Sequence, residues 1–237
     1  MKLCIRVVLQ LATLALALAG PSFAAEESYL YIIHDLPGRA VAANLNPGLP
    51  IDILINAKSC LVRGLTFSNT SGPLTLAPGQ YDVQISLSNT LAPCTNPALI
   101  TSQVSLVDGG SISAVATISG GQPTLMSFND NLSHVTSGNA RFVFSNAADA
   151  PALQATLTQL FVKTPKTYTI TADQGAEAAL IVLAGTYRVD ITVPGTTTVL
   201  TSEQLTLNSQ DANFTYAGGE ASNNSVTLVT RTIREVF

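Results

Sequence analysis

The sequence is poor in the residues that carry most enzyme chemistry. It contains no tryptophan, two histidines and three cysteines, and only 11% of its 237 residues are charged. Clustered ligands with the spacing of zinc or calcium sites do not occur in it. The Gly-x-Ser-x-Gly, His-Glu-x-x-His and phosphate-loop patterns are missing as well. The sequence therefore predicts a protein that is not an enzyme and uses no cofactor or metal ion.

Basic residues are also few, and no window of the chain gathers them. There are 11 lysines and arginines against 15 acidic residues, a net charge of −4. Loss of Lys2 and Arg6 with the leader described next leaves nine bases against fifteen acids, a net charge of −6. Nucleic acids and anionic membranes attract proteins through clustered bases. The sequence therefore predicts no nucleic-acid partner and no membrane association after leader cleavage.

Residues 1–24 have the pattern of a cleaved signal peptide. Lys2 and Arg6 precede an apolar run at 7–18, and Ser22-Phe23-Ala24 fits a small-x-small cleavage site. The run is about a dozen residues long, whereas a membrane-spanning helix needs roughly 20. We expect an exported protein, in the periplasm or outside the cell.

Two of the three cysteines remain after cleavage. Cys4 lies in the leader, which leaves Cys60 and Cys94. In an oxidising compartment such a pair most simply forms one structural disulfide. A reactive pair is the alternative, but the spacing is not the Cys-x-x-Cys of redox proteins.

A short pattern occurs twice in the chain, at residues 74–85 and 181–191. Each copy has an apolar strand, then Gly79 or Gly185, then a tyrosine two residues later, Tyr81 or Tyr187, and an alternating strand. Glycine supplies backbone freedom at a bend, and a tyrosine at the start of a strand can bond its hydroxyl back across the corner of a sandwich. We interpret all four residues as structural. Two copies of the pattern predict two tandem immunoglobulin-like β-sandwich domains.

Alternation of apolar and polar residues continues through most of the mature chain, with turn residues between the alternating segments. The opening strand near Tyr29 has apolar residues on both faces, which favours cover on both sides. Residues 131–139 lack apolar periodicity and divide the two halves. We predict a first sandwich domain at 25–134 and a second at 138–237, with an all-β fold.

Two stretches resemble a bacterial family of secreted repeat domains of unknown function. Its copies open with Val-Val-His-Ala-Ser-Pro-Asp-Ala-Pro and later carry a Leu-x-Ala-Gly-Thr-Tyr-x-Val corner. Residues 32–37 keep the histidine and the proline of this opening, at His34 and Pro37. Residues 143–151 keep its Asp-Ala-Pro end and have Ser145 at the histidine position. The resemblance implies two copies with an immunoglobulin-like sandwich fold, and it implies no activity.

His34 and Asp149 are the two candidate binding residues. Asp35 follows His34 directly, so on a strand the two side chains point to opposite faces and do not form a dyad. A buried structural histidine at a strand end is the alternative reading of His34. Asp149 precedes Ala150-Pro151, where a carboxylate that accepts bonds from local backbone N–H groups would form a turn.

These observations favour an exported, non-enzymatic binding or interaction module of the cell envelope, with an envelope protein or a glycan as partner. A periplasmic pilus-type chaperone also has two immunoglobulin-like domains, and its cleft requires a basic pair, for which Arg141 and Arg188 are the available residues. An outer-membrane β-barrel is a further alternative, because the strand alternation ends at Phe237.

Overall fold

The computed structural model describes residues 26–42, 44–46 and 48–234. The predicted leader at 1–24 and the terminal Phe237 lie outside these residues. The described part has sixteen strands, one short helix, α1, at Gly38–Val41 and a 3₁₀ turn at Ala221–Asn223. None of its helices is long and apolar enough to cross a membrane. The strands of the first half are β1 (Ser28–His34), β2 (Ile51–Ile55), β3 (Ser59–Leu65), β4 (Asn69–Leu76), β5 (Gly79–Leu87), β6 (Ala98–Leu106), β7 (Ser111–Ser119) and β8 (Gln122–Asn129). Those of the second half are β9 (Asn139–Asn146), β10 (Ala152–Gln159), β11 (Thr167–Asp173), β12 (Glu177–Leu183), β13 (Gly185–Thr192), β14 (Val199–Leu207), β15 (Ala212–Gly218) and β16 (Thr227–Ile233).

The strands form four sheets of four. Sheet A has the order β3-β2-β5-β6 and sheet B the order β4-β1-β7-β8. Sheet C has the order β12-β9-β15-β16 and sheet D the order β11-β10-β13-β14. The order in the second half is that of the first with eight added to each label, and in both halves the first strand pairs in parallel with the seventh. The prediction of two β-sandwich units is confirmed. Within the described residues, each sheet has two edge strands.

Three apolar cores separate the four sheets. The first lies between sheets A and B and includes Leu30, Ile32, Ile53 and Ile85. The second lies between C and D, and the third lies between the two sandwiches, where Ile33, Val115, Phe214 and Tyr216 meet. Strand β1 therefore contributes Leu30 and Ile32 to its own sandwich and Ile33 to the neighbouring one. Its two apolar faces are both covered, as the alternation of its sequence predicts.

The two sandwiches lie side by side with β1 and β9 pointing in the same direction. Where β7 ends, the Thr117 hydroxyl donates to the carbonyl oxygen of Ala147, just beyond the end of β9, at 2.9 Å. Where β7 begins, Ser113 contacts Arg231, near the end of β16, at 2.7 Å. We call the end of the molecule near Ala147, where the two sandwiches form a cleft, the cleft end. The opposite end, near Ser113 and Arg231, is called the hairpin end.

Both Gly-Tyr patterns lie where the chain passes from one sheet of a sandwich to the other. Gly79 follows β4 of sheet B and begins β5 of sheet A, with a backbone φ of +150° that favours glycine. The Tyr81 hydroxyl donates to the carbonyl oxygen of Ala77 at 2.7 Å. At the second corner the Tyr187 hydroxyl donates to the carbonyl oxygen of Leu183 at 2.8 Å. Each hydroxyl thus spans its corner to a carbonyl four residues back.

Cys60 and Cys94 form a disulfide, with 5.9 Å between their Cα atoms. The bond ties the β5–β6 loop to β3. Asp52 supports the same loop, since its carboxylate accepts hydrogen bonds from the backbone N–H groups of Asn89 and Cys94. The predicted disulfide is confirmed.

Candidate functional site

His34 is fully buried and bonded to backbone on both sides of its ring. Its Nε2 lies 2.9 Å from the carbonyl oxygen of Leu49, and its Nδ1 accepts a hydrogen bond from the backbone N–H of Leu36 at 3.3 Å. The ring packs edge-on against Phe67. Burial lowers the pKa of His34, which favours a neutral ring at pH 7. His34 therefore holds the segment between β1 and β2 in place and presents no surface to a ligand.

Asn146, and not Ser145, takes the place of His34 in the second half. The side chain of Asn146 lies at the end of β9 and bonds toward the core of its own sandwich, as His34 does in β1. Its amide oxygen accepts from the backbone N–H of Ala148, two residues ahead, and its amide group donates to the carbonyl oxygens of Ala150 and Ala172. The assignment of Ser145 to the histidine position is wrong, because motif spacing does not record which face of the strand a residue occupies.

Asp149 connects the two sandwiches. Its carboxylate accepts a hydrogen bond from the backbone N–H of Gly121, in the β7–β8 turn, at 3.2 Å and lies 3.4 Å from the side-chain amide of Gln174. Its own N–H donates to the carbonyl oxygen of Gly219 at 2.7 Å. The carboxylate thus contacts a turn of the first sandwich rather than the local backbone N–H groups that its sequence predicts. The described contacts of Asp149 and His34 share no residue, so the two candidates do not form one site.

Asp35, which the sequence does not single out as a site, lies between the sandwiches. One carboxylate oxygen accepts a hydrogen bond from the Thr227 hydroxyl of β16. The other is buried without a hydrogen-bond partner and lies against Gly218, where an added Cβ would come within 1.9 Å of it. Burial raises the pKa of Asp35 to about 6. The feature of the sequence that points to Asp35 is its position directly after His34, which places its side chain on the opposite face of the chain.

A polar cluster lies at the other end of the interface between sheets B and C. The Arg231 guanidinium is 2.6 Å from a carboxylate oxygen of Asp130, and both side chains are almost fully buried. Ser113 donates to the same carboxylate at 2.8 Å and accepts a hydrogen bond from the Tyr216 hydroxyl at 2.6 Å. Burial raises the pKa of Tyr216 far above its usual range. These groups are paired with one another across the interface, which gives the cluster a structural role.

Arg231 is also held between two aromatic rings. Its guanidinium carbon lies 3.8 Å from the ring centre of Tyr31 in the first sandwich and 4.5 Å from that of Phe214 in the second. Cation–π contacts of this kind are strongest when the cation is removed from water. The arginine therefore joins the two halves through both its charge and its flat faces.

At the cleft end the two sandwiches form the walls of a cleft of about 610 Å³ that is open to solvent. The first sandwich lines it with Pro37, Arg39, Phe67 and Ile118, and the second with Glu220 and residues 223–227. This volume is in the range of small-ligand sites, and the lining combines apolar side chains with one cation and one carboxylate. Its residues come from four separate segments, which is why no sequence motif marks it.

Within the described residues, no group of three or more His, Cys, Asp or Glu side chains could hold a metal ion.

The two arginines of the chaperone alternative lie apart. Arg141 donates to the backbone carbonyl oxygens of Asn131 and Ser133, each at 2.8 Å, and so holds the segment between β8 and β9. Arg188 is exposed on β13 of sheet D, where it pairs with Asp190 at 2.9 Å. They form no basic pair between the sandwiches.

Comparison with solved structures finds distant likenesses. A candidate cell adhesion protein from Bacteroides ovatus is 8% identical, with a TM-score of 0.30 over 91% of this chain and 99% of the other. One from Bacteroides uniformis is 13% identical, with a TM-score of 0.27 over 88% and 98% of the two chains. The TIE protein of Bacillus anthracis is 11% identical, with a TM-score of 0.24 over 82% of this chain and 32% of the other. At these values the likenesses assign no activity or ligand to this chain.

No curated protein matches the sequence at a significant level. A family model does, and it spans residues 28–156, from the first residue of β1 into β10. The match covers more than half of the 237 residues. The chain therefore belongs to the family described as domain of unknown function DUF4397.

Proposed function

We propose that this protein is an exported, non-enzymatic binding protein of the cell envelope that holds its ligand in the cleft between its two sandwiches. The observation that carries the proposal is that both halves line one cleft and are joined to each other by a buried apolar core. A cleft whose walls are fixed relative to each other loses little conformational freedom when a ligand binds. Ligand sites occur preferentially at such domain interfaces.

The side chains that line the cleft fit a ligand that is uncharged or zwitterionic. Phe67, Ile118 and Val226 supply apolar surface, while Arg39 and Glu220 can each contact one charge of opposite sign. An exposed peptide segment of an envelope protein meets these requirements, and a glycan would stack on the ring of Phe67 and bond to the asparagines of the β15–β16 turn.

We also propose that the chain holds two copies of the family domain, at 25–134 and 138–237. The identical strand order of the two halves supports this. So does the recurrence of the hydroxyl-bonded corner at Tyr81 and Tyr187. The second half would then depart from the opening motif because Asn146, rather than a histidine, bonds to the backbone at the end of its first strand.

A charge reversal in the cleft tests the binding proposal. Arg39 lines the cleft and is exposed, so Arg39→Glu should leave folding intact. Arg63→Glu makes the same change at an exposed position of β3 in sheet A and serves as the matched control. Envelope-derived peptides and a glycan panel would be titrated against the intact mature chain.

We expect Arg39→Glu to weaken binding about tenfold or more, because a hydrogen bond to a charged group contributes roughly 1.5–3 kcal/mol. Arg63→Glu should bind like the unmodified chain. Equal weakening by both changes would indicate a general charge effect. Unchanged binding by Arg39→Glu would contradict the cleft as the site.

A further inference from the structure

The loop between β10 and β11 is longer than its counterpart in the first half. In the first half, residues 56–58 join β2 to β3, whereas residues 160–166 join β10 to β11. The strand order of the two halves is the same, so the four additional residues extend one equivalent turn. We call residues 160–166 the β10–β11 loop.

This loop presents two large apolar side chains to solvent. Phe161 is 85% exposed and Val162 is 42% exposed. The backbone of Phe161 has a φ of +58°, a conformation that crowds a side chain with a Cβ and is rare for bulky residues. Neither exposure nor strain stabilises the fold. Strained backbone conformations cluster at functional sites, which makes Phe161 a candidate contact residue.

The loop is also cationic in an acidic protein. Lys163 and Lys166 follow the apolar pair, and residues 150–172 contain these two lysines and no acidic residue. The whole chain carries 15 acidic residues against 11 basic ones. A loop with this composition is complementary to an anionic partner that offers an apolar layer beneath its charges.

The loop lies at the hairpin end, opposite the cleft. The backbone N–H of Leu160 donates to the carbonyl oxygen of Thr186, beside the second corner. That corner follows Leu183, which pairs with Asn139 at the start of β9. The cleft lies beyond the end of β15, which runs parallel to β9. A partner at the loop would therefore leave the cleft open.

We propose that the β10–β11 loop docks this protein on an anionic lipid surface. Phe161 and Val162 enter the boundary between headgroups and acyl chains, while Lys163 and Lys166 lie among the anionic headgroups and contribute their stems to the apolar contact. At the same end, the β6–β7 turn of the first sandwich carries Asp108, which disfavours contact of that turn with anionic headgroups. A search for clustered bases does not detect this site, because only two lysines take part.

Vesicle sedimentation tests the proposal. The mature chain would be mixed with vesicles of phosphatidylcholine alone and with vesicles that contain phosphatidylglycerol, at millimolar lipid. We expect binding to the anionic vesicles, little to the neutral ones, and loss of binding as salt is raised. Phe161→Asn should reduce the partition coefficient at least about tenfold, and Lys163→Gln with Lys166→Gln should remove the preference for anionic lipid.

The Phe161→Asn variant is informative because asparagine tolerates a positive φ better than phenylalanine, so the fold should be preserved or stabilised. Leu91→Ser removes another exposed apolar side chain, 96% exposed in the β5–β6 loop, and should bind vesicles like the unmodified chain. Equal binding to both vesicle types would overturn the proposal. So would absence of binding to either type, or an unchanged partition coefficient in Phe161→Asn. These outcomes are independent of the Arg39→Glu experiment.

Discussion

His34 and Asp35 are neighbours in sequence but act in different parts of the molecule. The His34 ring bonds to backbone within the first sandwich. The Asp35 carboxylate enters the space between the sandwiches, where it contacts Thr227 and Gly218. Burial raises the pKa of this carboxyl from 3.8 to about 6, because the charged form is removed from bulk solvent and one of its oxygens accepts no hydrogen bond from the protein. The interface therefore contains a group that is better accommodated when protonated.

We predict that Asp35→Asn stabilises the protein at neutral pH. Because the pKa of Asp35 is higher in the folded state than in the unfolded state, the folded state binds the proton more tightly. The stability due to that proton is fully present below pH 4 and is lost as the pH rises through about 6. The loss amounts to about 3 kcal/mol, at 1.36 kcal/mol for each pKa unit.

Urea unfolding at pH 4 and pH 7 checks this prediction. The free energy of unfolding of the unmodified chain includes the loss just described, whereas Asp35→Asn lacks that contribution. The variant should be close to the unmodified chain at pH 4 and more stable at pH 7. Asp108→Asn, in the exposed β6–β7 turn, is the control for general effects of net charge. If Asp35→Asn were no more stable than Asp108→Asn at pH 7, the carboxyl would not be strained by burial.

The corners between sheets are the elements that the sequence describes best. In each corner a tyrosine hydroxyl bonds to a carbonyl four residues back, at Ala77 or Leu183. Tyr187 is fully buried, whereas Tyr81 is only partly buried. Removal of the hydroxyl leaves the carbonyl without its partner, and the cost of that loss grows with burial.

We predict that Tyr187→Phe lowers the free energy of unfolding by about 1–2 kcal/mol and Tyr81→Phe by about 0.5–1 kcal/mol. For a chain of this length, 1 kcal/mol corresponds to roughly 2–4 °C in melting temperature. Differential scanning calorimetry of the two variants would measure these shifts. Melting temperatures identical to that of the unmodified chain would show that the hydroxyls do not stabilise the corners.

The sequence predicts the strands and the corners well, because the alternation and the Gly-Tyr pattern that mark them are local. It does not predict how elements meet across the molecule. The apolar faces of β1 indicate that something covers Ile33, but period-two alternation does not say that sheet C does so. The partner of Asp149, Gly121, lies 28 residues away in the other half. Cleft residues such as Phe67 and Val226 come from segments with no common motif, so only the fold brings them together.

At the scale of the whole molecule, sheet B of the first sandwich packs against sheet C of the second. The apolar contact includes Ile33, Val143 and Phe214, and the polar contact is centred on Arg231 and Asp130. An interface with its own buried core couples the unfolding of the parts that it joins. The cleft depends on this coupling, because its two walls belong to different sandwiches.

We predict that the unmodified chain unfolds in a single calorimetric transition and that Arg231→Met separates it into two. Methionine keeps the apolar contact with Tyr31 and Phe214 but leaves Asp130 buried without its cation, which typically costs about 3–5 kcal/mol. The double variant Arg231→Met, Asp130→Asn removes both charges and should restore most of the lost stability and the single transition. A single transition at an unchanged temperature in Arg231→Met would contradict a role for this ion pair in the coupling, since the two walls of the cleft would then be held together without it.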